Sequence, residues 1–396
     1  MKENDDKQNR IVDLRTCCKE HDVDLPVDLK ELTEKQLVDF MVVFGEKSFR
    51  GRQIYKWINK GACTFEEMTD ISAGLREKLK ENACIGSLTL LRKQESSDGT
   101  VKFLFGLKDG NAIETVFMKY KYGNSICVSS QAGCRMGCTF CASGKLGLAR
   151  NLTHGEIADQ IFRCEEITGQ KINHVVVMGT GEPFDNYDNL AEFIRRINDK
   201  NGLNIGMRNI TVSTSGLVNV IDRFAADFPQ VNLAVSLHAP TDEQRSRTMP
   251  VNRKYPLSEL IPACRRYTEH THRRITFEYA VIKDENDRDE DIEKLAELLH
   301  GILCHVNLIP LNEIEEKSDK RAGRGKDDKT VMRTEGRREE TLTLKAGSRQ
   351  RAGEIAAMLE SRGIPATVRR SLGRDIDAAC GQLRLNESFQ PDDNSV

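Results

Sequence analysis

The sequence predicts an α/β fold, a partial (βα)6 barrel of TIM-like form preceded by a small N-terminal helical module, and three observations predict it. Six short apolar runs recur at residues 126–128, 175–178, 210–212, 233–237, 275–282 and 306–309. Segments of helical spacing lie between them, and alternation of this kind implies a parallel sheet with right-handed crossovers. Small and polar residues directly follow several of the runs, at the strand ends where barrels collect their chemistry.

Taken in order, residues 1–28 read as a tail and 29–87 as the helical module. Leu32, Leu37, Phe40 and Met41 stand at helical spacing, and a second segment carries Ile54, Trp57 and Ile58. Residues 88–124 alternate apolar and polar positions around Asp98-Gly99 and Asp109-Gly110, which are hairpin-turn signals. They predict a short antiparallel extension. The barrel is assigned to 125–312. Its first helix opens on the capping box Thr153 to Glu156, followed by Ile157, Ile161 and Phe162 on one face. A later helix carries Leu190, Phe193, Ile194 and Ile197, and another Ile292, Leu295, Leu298 and Leu299. The run 313–345 mixes Lys, Arg, Asp and Glu with almost no apolar residues, so it cannot bury a core and reads as a flexible loop. Residues 346–385 resume with a helix through Ile355, Met358 and Leu359, an edge strand at 366–368 and a loop; 386–396 form a tail.

Composition narrows the function classes. The chain has 396 residues, 38% hydrophobic and 30% charged, enough for one large catalytic domain with attachments. No apolar run reaches membrane-spanning length and the first residues lack a secretory signal, so a cytoplasmic location is expected. The twelve cysteines are diluted over a long chain, as reduced thiols are. Cys63, Cys84, Cys164, Cys264 and Cys304 read as core or surface thiols, and Cys17-Cys18 take no role. A formal net charge of -2 gives no global pull toward nucleic acid, so RNA binding needs a local basic face. Lys119, Lys121, Arg135, Lys145 and Arg150 flank the cysteine loop, with Arg369, Arg370 and Arg374 near the C-terminus.

That loop, Cys134-Arg-Met-Gly-Cys138-Thr-Phe-Cys141, carries the chemistry. Three thiolates leave one iron of a 4Fe-4S cluster without a protein ligand, where S-adenosylmethionine can coordinate. A four-thiolate zinc site completed by Cys127 is the competing reading. Two short Cys pairs are the usual zinc pattern, and the triplet departs from it. After the second run, Gly179 and Gly181 let backbone approach a ligand closely, and Glu182 can accept a hydrogen bond from an amino group. Ser213, Ser236, His238 and Asn312 stand at the ends of other runs and can hydrogen-bond the ribose and carboxylate of the same ligand; His238 reads equally as a structural histidine.

From about Lys30 to Leu385 the chain resembles the radical S-adenosylmethionine RNA adenine methyltransferases of the RlmN type, whose sister group is the Cfr type. The resemblance rests on Phe49-Arg50 with Ile54 and Trp57, Ser97-Asp98-Gly99-Thr100, Glu114-Thr115-Val116, Cys127-Val-Ser-Ser-Gln-Ala-Gly-Cys134, Gly181-Glu182-Pro183, Ser236-Leu237-His238-Ala239-Pro240 and Asp375-Ile-Asp-Ala-Ala-Cys380-Gly-Gln-Leu383. It implies a partial (βα)6 TIM-like radical-SAM barrel with an N-terminal accessory domain. The implied reaction is methylation of adenine carbon 2 in 23S rRNA and tRNA. Cys134, Cys138 and Cys141 would hold one 4Fe-4S cluster. S-adenosylmethionine, two per turnover, would meet Gly181, Glu182, Ser213, Ser236, Leu237, His238 and Asn312. The resemblance makes Cys380 the methyl carrier, Cys127 the thiol that resolves the RNA adduct through a transient disulfide, and Glu114 the proton acceptor. Its implied partners are those RNAs and a flavodoxin- or ferredoxin-type electron donor, with no membrane.

Two departures accompany the resemblance: the charged run after Asn312 exceeds ordinary loop lengths, and Thr180 replaces a methionine. Cys141-Ala-Ser-Gly144 and Gly147-Leu148 lean toward the Cfr type, which methylates carbon 8. Gly181-Glu182-Pro183, Ser213-Thr-Ser-Gly216, Leu308-Ile-Pro-Leu-Asn312 and Val368-Arg-Arg370 favour the RlmN type. A non-catalytic metal-binding RNA-binding protein is the alternative from another class.

Overall fold

The computed structural model describes residues 26–145, 147–310, 347–370, 372–373 and 375–376. Asn312, the charged run 313–345, Arg374, Cys380, residues 1–25 of the N-terminal tail assigned to 1–28, and the tail 386–396 lie outside the described residues.

The N-terminal module packs α1 (Glu34–Val43), α2 (Ser48–Ile58) and α3 (Ala73–Asn82) under a parallel pair, β1 (Val27–Asp28) with β2 (Ala83–Cys84). Thr33 opens α1 with a reciprocal cap, its hydroxyl accepting from the Gln36 N–H while the Gln36 side chain accepts from the Thr33 N–H. Leu37, Met41, Ile54, Ile58, Leu75 and Leu79 close a core of the module's own. Trp57 lies at its edge and donates Nε1–H to Asp70 Oδ1 at 2.5 Å.

Next come β3 (Thr89–Glu95), β4 (Val101–Gly106), β5 (Ala112–Tyr120) and β6 (Gly123–Cys127), paired antiparallel in sequence order. Both expected turns form, with Gly99 at φ 81° and Gly110 at φ 80°, a left-handed conformation glycine adopts without steric cost. The hairpins do not stand apart as their own sheet. Strand β6 pairs in parallel with β9 (His174–Val177), so extension and barrel share one sheet. The small hairpin of β7 (Gln131–Gly133) and β8 (Leu148–Asn151) sits between them, holding the short helix α4 (Ala142–Lys145) in its loop.

Beyond β9 the parallel order continues through β10 (Ile210–Thr214), β11 (Asn232–Ser236), β12 (Ile275–Val281), β13 (Cys304–Pro310) and β14 (Ala366–Val368). The six expected barrel strands are therefore neighbours in chain order, and 366–368 forms the outermost strand. The intervening helices are α5 (His154–Thr168), α6 (Tyr187–Asn198), α7 (Val218–Asp227), α8 (Asp242–Thr248), α9 (Leu257–Thr271), α10 (Asp289–Leu299) and α11 (Arg349–Ser361). Thr153 and Glu156 form the expected box on α5, and Gly169 ends that helix at φ 65°. Leu190, Phe193, Ile194 and Ile197 of α6 are all fully buried, each stabilising the fold by roughly 1.5–3 kcal/mol. No described helix is long and apolar enough to cross a membrane.

The module docks on α5 and α6 through buried polar groups. Lys30 Nζ meets Asp159 Oδ1 at 2.5 Å, and Arg196 donates from Nη1 to the Lys30 carbonyl and from Nε to Asn59 Oδ1. This seam orients the module relative to the barrel.

Candidate active site at the barrel mouth

The cysteine loop is built by the β7–β8 hairpin that follows β6. The Cys134 N–H donates to the Gly147 carbonyl at 2.8 Å and closes the loop at its base. A Cβ on Gly133 would lie 1.9 Å from that carbonyl, so no other residue fits there. The Cys141 N–H donates to the Cys138 carbonyl at 3.1 Å, turning these two residues together, and the Thr139 N–H ties the loop to Thr248 of α8. Cys134 is buried; Cys138 and Cys141 are half-buried.

Burial pushes the Cys134 and Cys138 thiols up to about 12, and Cys138 is raised further by Cys141 and Cys134. Thiols that oppose one another's ionisation become thiolates when a cation joins them. That donor set fits an iron–sulfur cluster, in which each thiolate binds its own iron. No three His, Cys, Asp or Glu side chains among the described residues converge as ligands of a single metal ion. Cys127 stands elsewhere, in an apolar cluster with Val116, Met118 and Leu372.

Around the mouth, the loop after β9 carries Gly179 to Pro183. A Cβ on Gly179 would meet the Val128 carbonyl at 2.7 Å, and one on Gly181, at φ 113°, would meet Gln131 Cβ at the same distance. The close approach expected of these glycines is thus made by the chain's own 128–131 loop. Thr180 shares a hydrogen bond with Ser143 of α4, linking the departure from methionine to the cysteine loop. Glu182 is buried, and its carboxylate accepts from the Phe184 N–H, the Thr214 hydroxyl and the Ser215 N–H at 2.6 Å. Burial pushes its carboxyl up. A carboxylate offers about four acceptor positions, so three inward bonds leave room for one further donor.

Ser213 and Ser236 are half-buried near the ends of β10 and β11. Ser215 is buried with its side chain against the Glu182 carboxylate. Leu237 is fully buried. His238 adopts φ 56° and accepts at Nδ1 from the Ala280 N–H at 2.9 Å, so its proton sits on Nε2. Burial lowers it to about 3, and its ring stacks edge-on against Phe140 of the cysteine loop at 4.8 Å. The structural role open to this histidine is present, and it touches the cysteine loop as well.

One residue escaped the sequence reading. Arg245 of α8 is fully buried and donates to the carbonyls of Ser215, Ser236 and Leu237 and to Asn252 Oδ1. It fastens two strand-end loops with one guanidinium. All four acceptors are neutral, and its charge lies near enough to Cys138 to favour that thiol's ionised form. In sequence it stands among Asp242, Glu243 and Arg247 and reads as a solvated helix.

The antiparallel strands supply another face. Register Val116↔Cys127 and Lys102↔Val116 places Lys102, Glu114 and Cys127 on the side of the sheet opposite Ile113 and Phe117. Lys102 Nζ lies 3.0 Å from Glu114 Oε2, both side chains buried. Ser129 Oγ donates to the Glu114 carbonyl at 2.6 Å and pins its backbone. Of the flanking basic residues, Arg135 pairs with Asp185, and Arg150 pairs with Glu156 and Asp109. Lys119, Lys121, Arg369 and Arg370 are exposed.

Comparison with known proteins agrees with this geometry. Residues 27–85 match the ribosomal RNA large subunit methyltransferase N-terminal domain, and 128–299 match the radical SAM superfamily. The chain is 49% identical over 359 residues to the probable dual-specificity RNA methyltransferase RlmN of Alkaliphilus oremlandii, covering 90% of this chain and 97% of that one. The corresponding protein of Desulforamulus reducens is 48% identical, with 90% and 96% covered. A crystal structure of a radical SAM methyltransferase from Sphaerobacter thermophilus superposes with a TM-score of 0.80 at 44% identity, covering 90% of this chain and 99% of that one. With its cysteine triplet at the mouth of a parallel barrel and its helical module in front, the chain belongs to the RlmN family of dual-specificity RNA methyltransferases, radical SAM enzymes that use S-adenosylmethionine and an iron–sulfur cluster.

Proposed function

We propose that this protein methylates carbon 2 of adenine in 23S rRNA and in tRNA through a methyl group carried on Cys380. The observation that carries the reading is the register of β5 with β6, which sets Glu114 and Cys127 on one face of the sheet. Leu372, eight residues before Cys380, packs into the same apolar cluster as Cys127. The shared face and the packing of Leu372 support giving Glu114 and Cys127 the proton-acceptor and resolving roles.

In this reading Cys134, Cys138 and Cys141 hold one 4Fe-4S cluster, and Gly181, Glu182, Ser213, Ser236, Leu237, His238 and Asn312 form the S-adenosylmethionine site. The Cys380 thiolate forms a bond to a methyl carbon as that carbon leaves the sulfonium of one S-adenosylmethionine. When bound, the cluster and a second S-adenosylmethionine supply the radical that removes a hydrogen atom from this methyl, drawing on a flavodoxin- or ferredoxin-type donor. The methylene radical on Cys380 would bond to adenine carbon 2; Glu114 would take the proton from that carbon as the adduct gives up one electron, which the cluster, when bound, can take back; and Cys127 would attack the Cys380 sulfur, breaking its bond to the methylene carbon, which takes a proton and leaves as the methyl of the product. The resulting disulfide needs a two-electron reductant before the next cycle. The target adenine must leave its stack, which costs a few kcal/mol; the exposed basic residues can offset that through phosphate contacts.

The test is anaerobic reconstitution, methylation of both RNAs, and mass spectrometry of the digest against 2-methyladenosine and 8-methyladenosine. The expected product is 2-methyladenosine in each. Only 8-methyladenosine would assign the carbon-8 reaction instead. Zinc in place of iron, with no 5'-deoxyadenosine released, would overturn catalysis altogether.

A further inference from the structure

The Ser97-Asp98-Gly99-Thr100 turn and the Asp375 segment lie far apart in sequence, and the reading above gives neither a task. In the structure they grip each other. Ser96 Oγ donates to Asp375 Oδ1, and the Ser97 N–H donates to Asp375 Oδ2 at 2.9 Å. In the reverse direction, the Gly373 N–H donates to Asp98 Oδ2 at 2.9 Å. The turn is shaped independently of these bonds: Asp98 Oδ1 accepts from the Thr100 N–H, the Gly99 N–H donates to the Ser96 carbonyl, and Gly99 takes the left-handed conformation. A second hold lies beside the first, where Leu372 packs into the cluster of Val116, Met118 and Cys127.

We infer that the turn between β3 and β4 is a positioning clamp that fixes the chain ahead of Cys380 against the antiparallel strands. The inference rests on the reading of Cys380 as methyl carrier. Asp375 stands five residues before Cys380, and an extended chain of that length spans at most about 18 Å. The clamp therefore limits how far the thiol can range from the turn between β3 and β4. Confinement matters because Cys380 must present its sulfur repeatedly, to the methyl donor and then to the adenine, and a tethered nucleophile meets its partners at high effective concentration. Hydrogen bonds to the Asp375 carboxylate hold it at about 2, and at Asp98 the bonds from Gly373 and Thr100 outweigh burial to the same effect. The clamp stays charged across the working pH range. Ser97 and Asp98 are exposed, and Ser96, Ser97, Asp98 and Asp375 touch no proposed reacting group, so they are positioning residues.

The experiment uses the full chain with reconstituted cluster and the variants Asp375→Ala, Ser96→Ala and the two combined. Methyl transfer from S-adenosylmethionine to Cys380, followed by mass spectrometry of the Cys380 peptide, should slow about tenfold in each, equivalent to about 1.4 kcal/mol. The double variant should be no slower than the single ones. Iron bound on reconstitution should stay at the parent level, because it depends on the cysteine triplet; a general folding defect would lower both. Amide exchange at Ser97 should be slow in the parent and fast in Asp375→Ala. Parent-rate methylation of Cys380 in Asp375→Ala would overturn the clamp's role, and fast exchange at Ser97 in the parent would overturn the clamp itself. A Cys380→Ala variant that still methylates RNA would instead overturn the reading of Cys380, leaving the exchange result unaffected.

Discussion

Among the described residues two lysine–carboxylate pairs are buried, and they lie in regions that use the same chemistry differently. Lys30 and Asp159 join the N-terminal module to α5, with side chains 4% and 2% exposed. Lys102 and Glu114 join neighbouring strands of one hairpin, with side chains 0% and 4% exposed. The seam pair belongs to a web: Asp159 Oδ2 also accepts from the Leu88 N–H at 2.7 Å, and Arg196 holds the Lys30 carbonyl and Asn59. It gathers segments that no local contact would bring together. The ladder between β4 and β5 already holds the mouth pair's backbones, so its charges are not needed to align them. A buried pair can serve cohesion or presentation, and the surrounding backbone decides which.

The largest expected effects break that contrast in opposite directions. Glu114→Gln should lower RNA methylation about 10²–10⁴-fold, the usual range for losing a proton-transfer group, and should cost less stability than truncation because the amide oxygen can still accept from Lys102. Asp159→Ala should lower unfolding free energy by about 3–5 kcal/mol, since a buried ammonium loses its counter-charge. Denaturant melts and methylation rates on the same preparations would separate the two. An Asp159→Ala protein as stable as the parent, or a Glu114→Gln enzyme at parent rate, would erase the distinction.

The seam should also respond to pH. Burial pushes Glu31 up to about 7 despite its bond from Thr153, while burial and then Arg196 bring His154 down to about 4. Relative to their ordinary values of 4.5 and 6.5, the two act with opposite sign. Glu31 binds more protons folded than unfolded, so its contribution is complete below pH 4.5 and is lost as pH rises through 7. His154 binds fewer, so its contribution grows from pH 4 to 6.5. The two largely offset each other until His154 stops titrating, after which only the Glu31 loss continues. Glu31→Gln keeps the Thr153 bond and removes the titration. It should therefore gain stability over the parent between pH 4.5 and 8, by roughly 3 kcal/mol at most. An equal difference in melting temperature at both pH values would show that Glu31 does not titrate at the seam.

These contrasts mark what the sequence could disclose. The barrel strands were legible because apolar residues stand at their buried positions, two residues apart in β9, β10 and β13, and Asp98-Gly99 and Asp109-Gly110 declared their turns. The cysteine triplet was legible because its ligands are close in sequence. Pairing between distant segments left no local trace: nothing near Lys30 points to Asp159, and nothing near Ser96 points to Asp375. Arg245 is the clearest case, since a charged side chain on a polar helix reads as solvated until the loops after β10 and β11 close over it. Gly179 and Gly181 were legible only in part. Their need for close approach was visible, but the approaching group was not.

The smallest expected effect separates the two pairs most finely. Replacing a buried ion pair by apolar residues of similar size is often neutral, because both desolvation costs vanish together. At the seam, Lys30→Met with Asp159→Leu removes both charges but leaves the buried Leu88 N–H without its acceptor. The double variant should then lose about 1–3 kcal/mol, the cost of one unmet buried donor, and be more stable than Asp159→Ala alone. It should keep methylating RNA wherever it is folded. The ladder between β4 and β5 holds the pair's backbones without these charges, so Lys102→Met with Glu114→Leu should melt close to the parent. It should nevertheless fail to release methylated RNA, because no carboxylate remains to take the proton. If that variant turned over normally, the pair on β4 and β5 would be cohesive after all, and the proton would have to leave through another group.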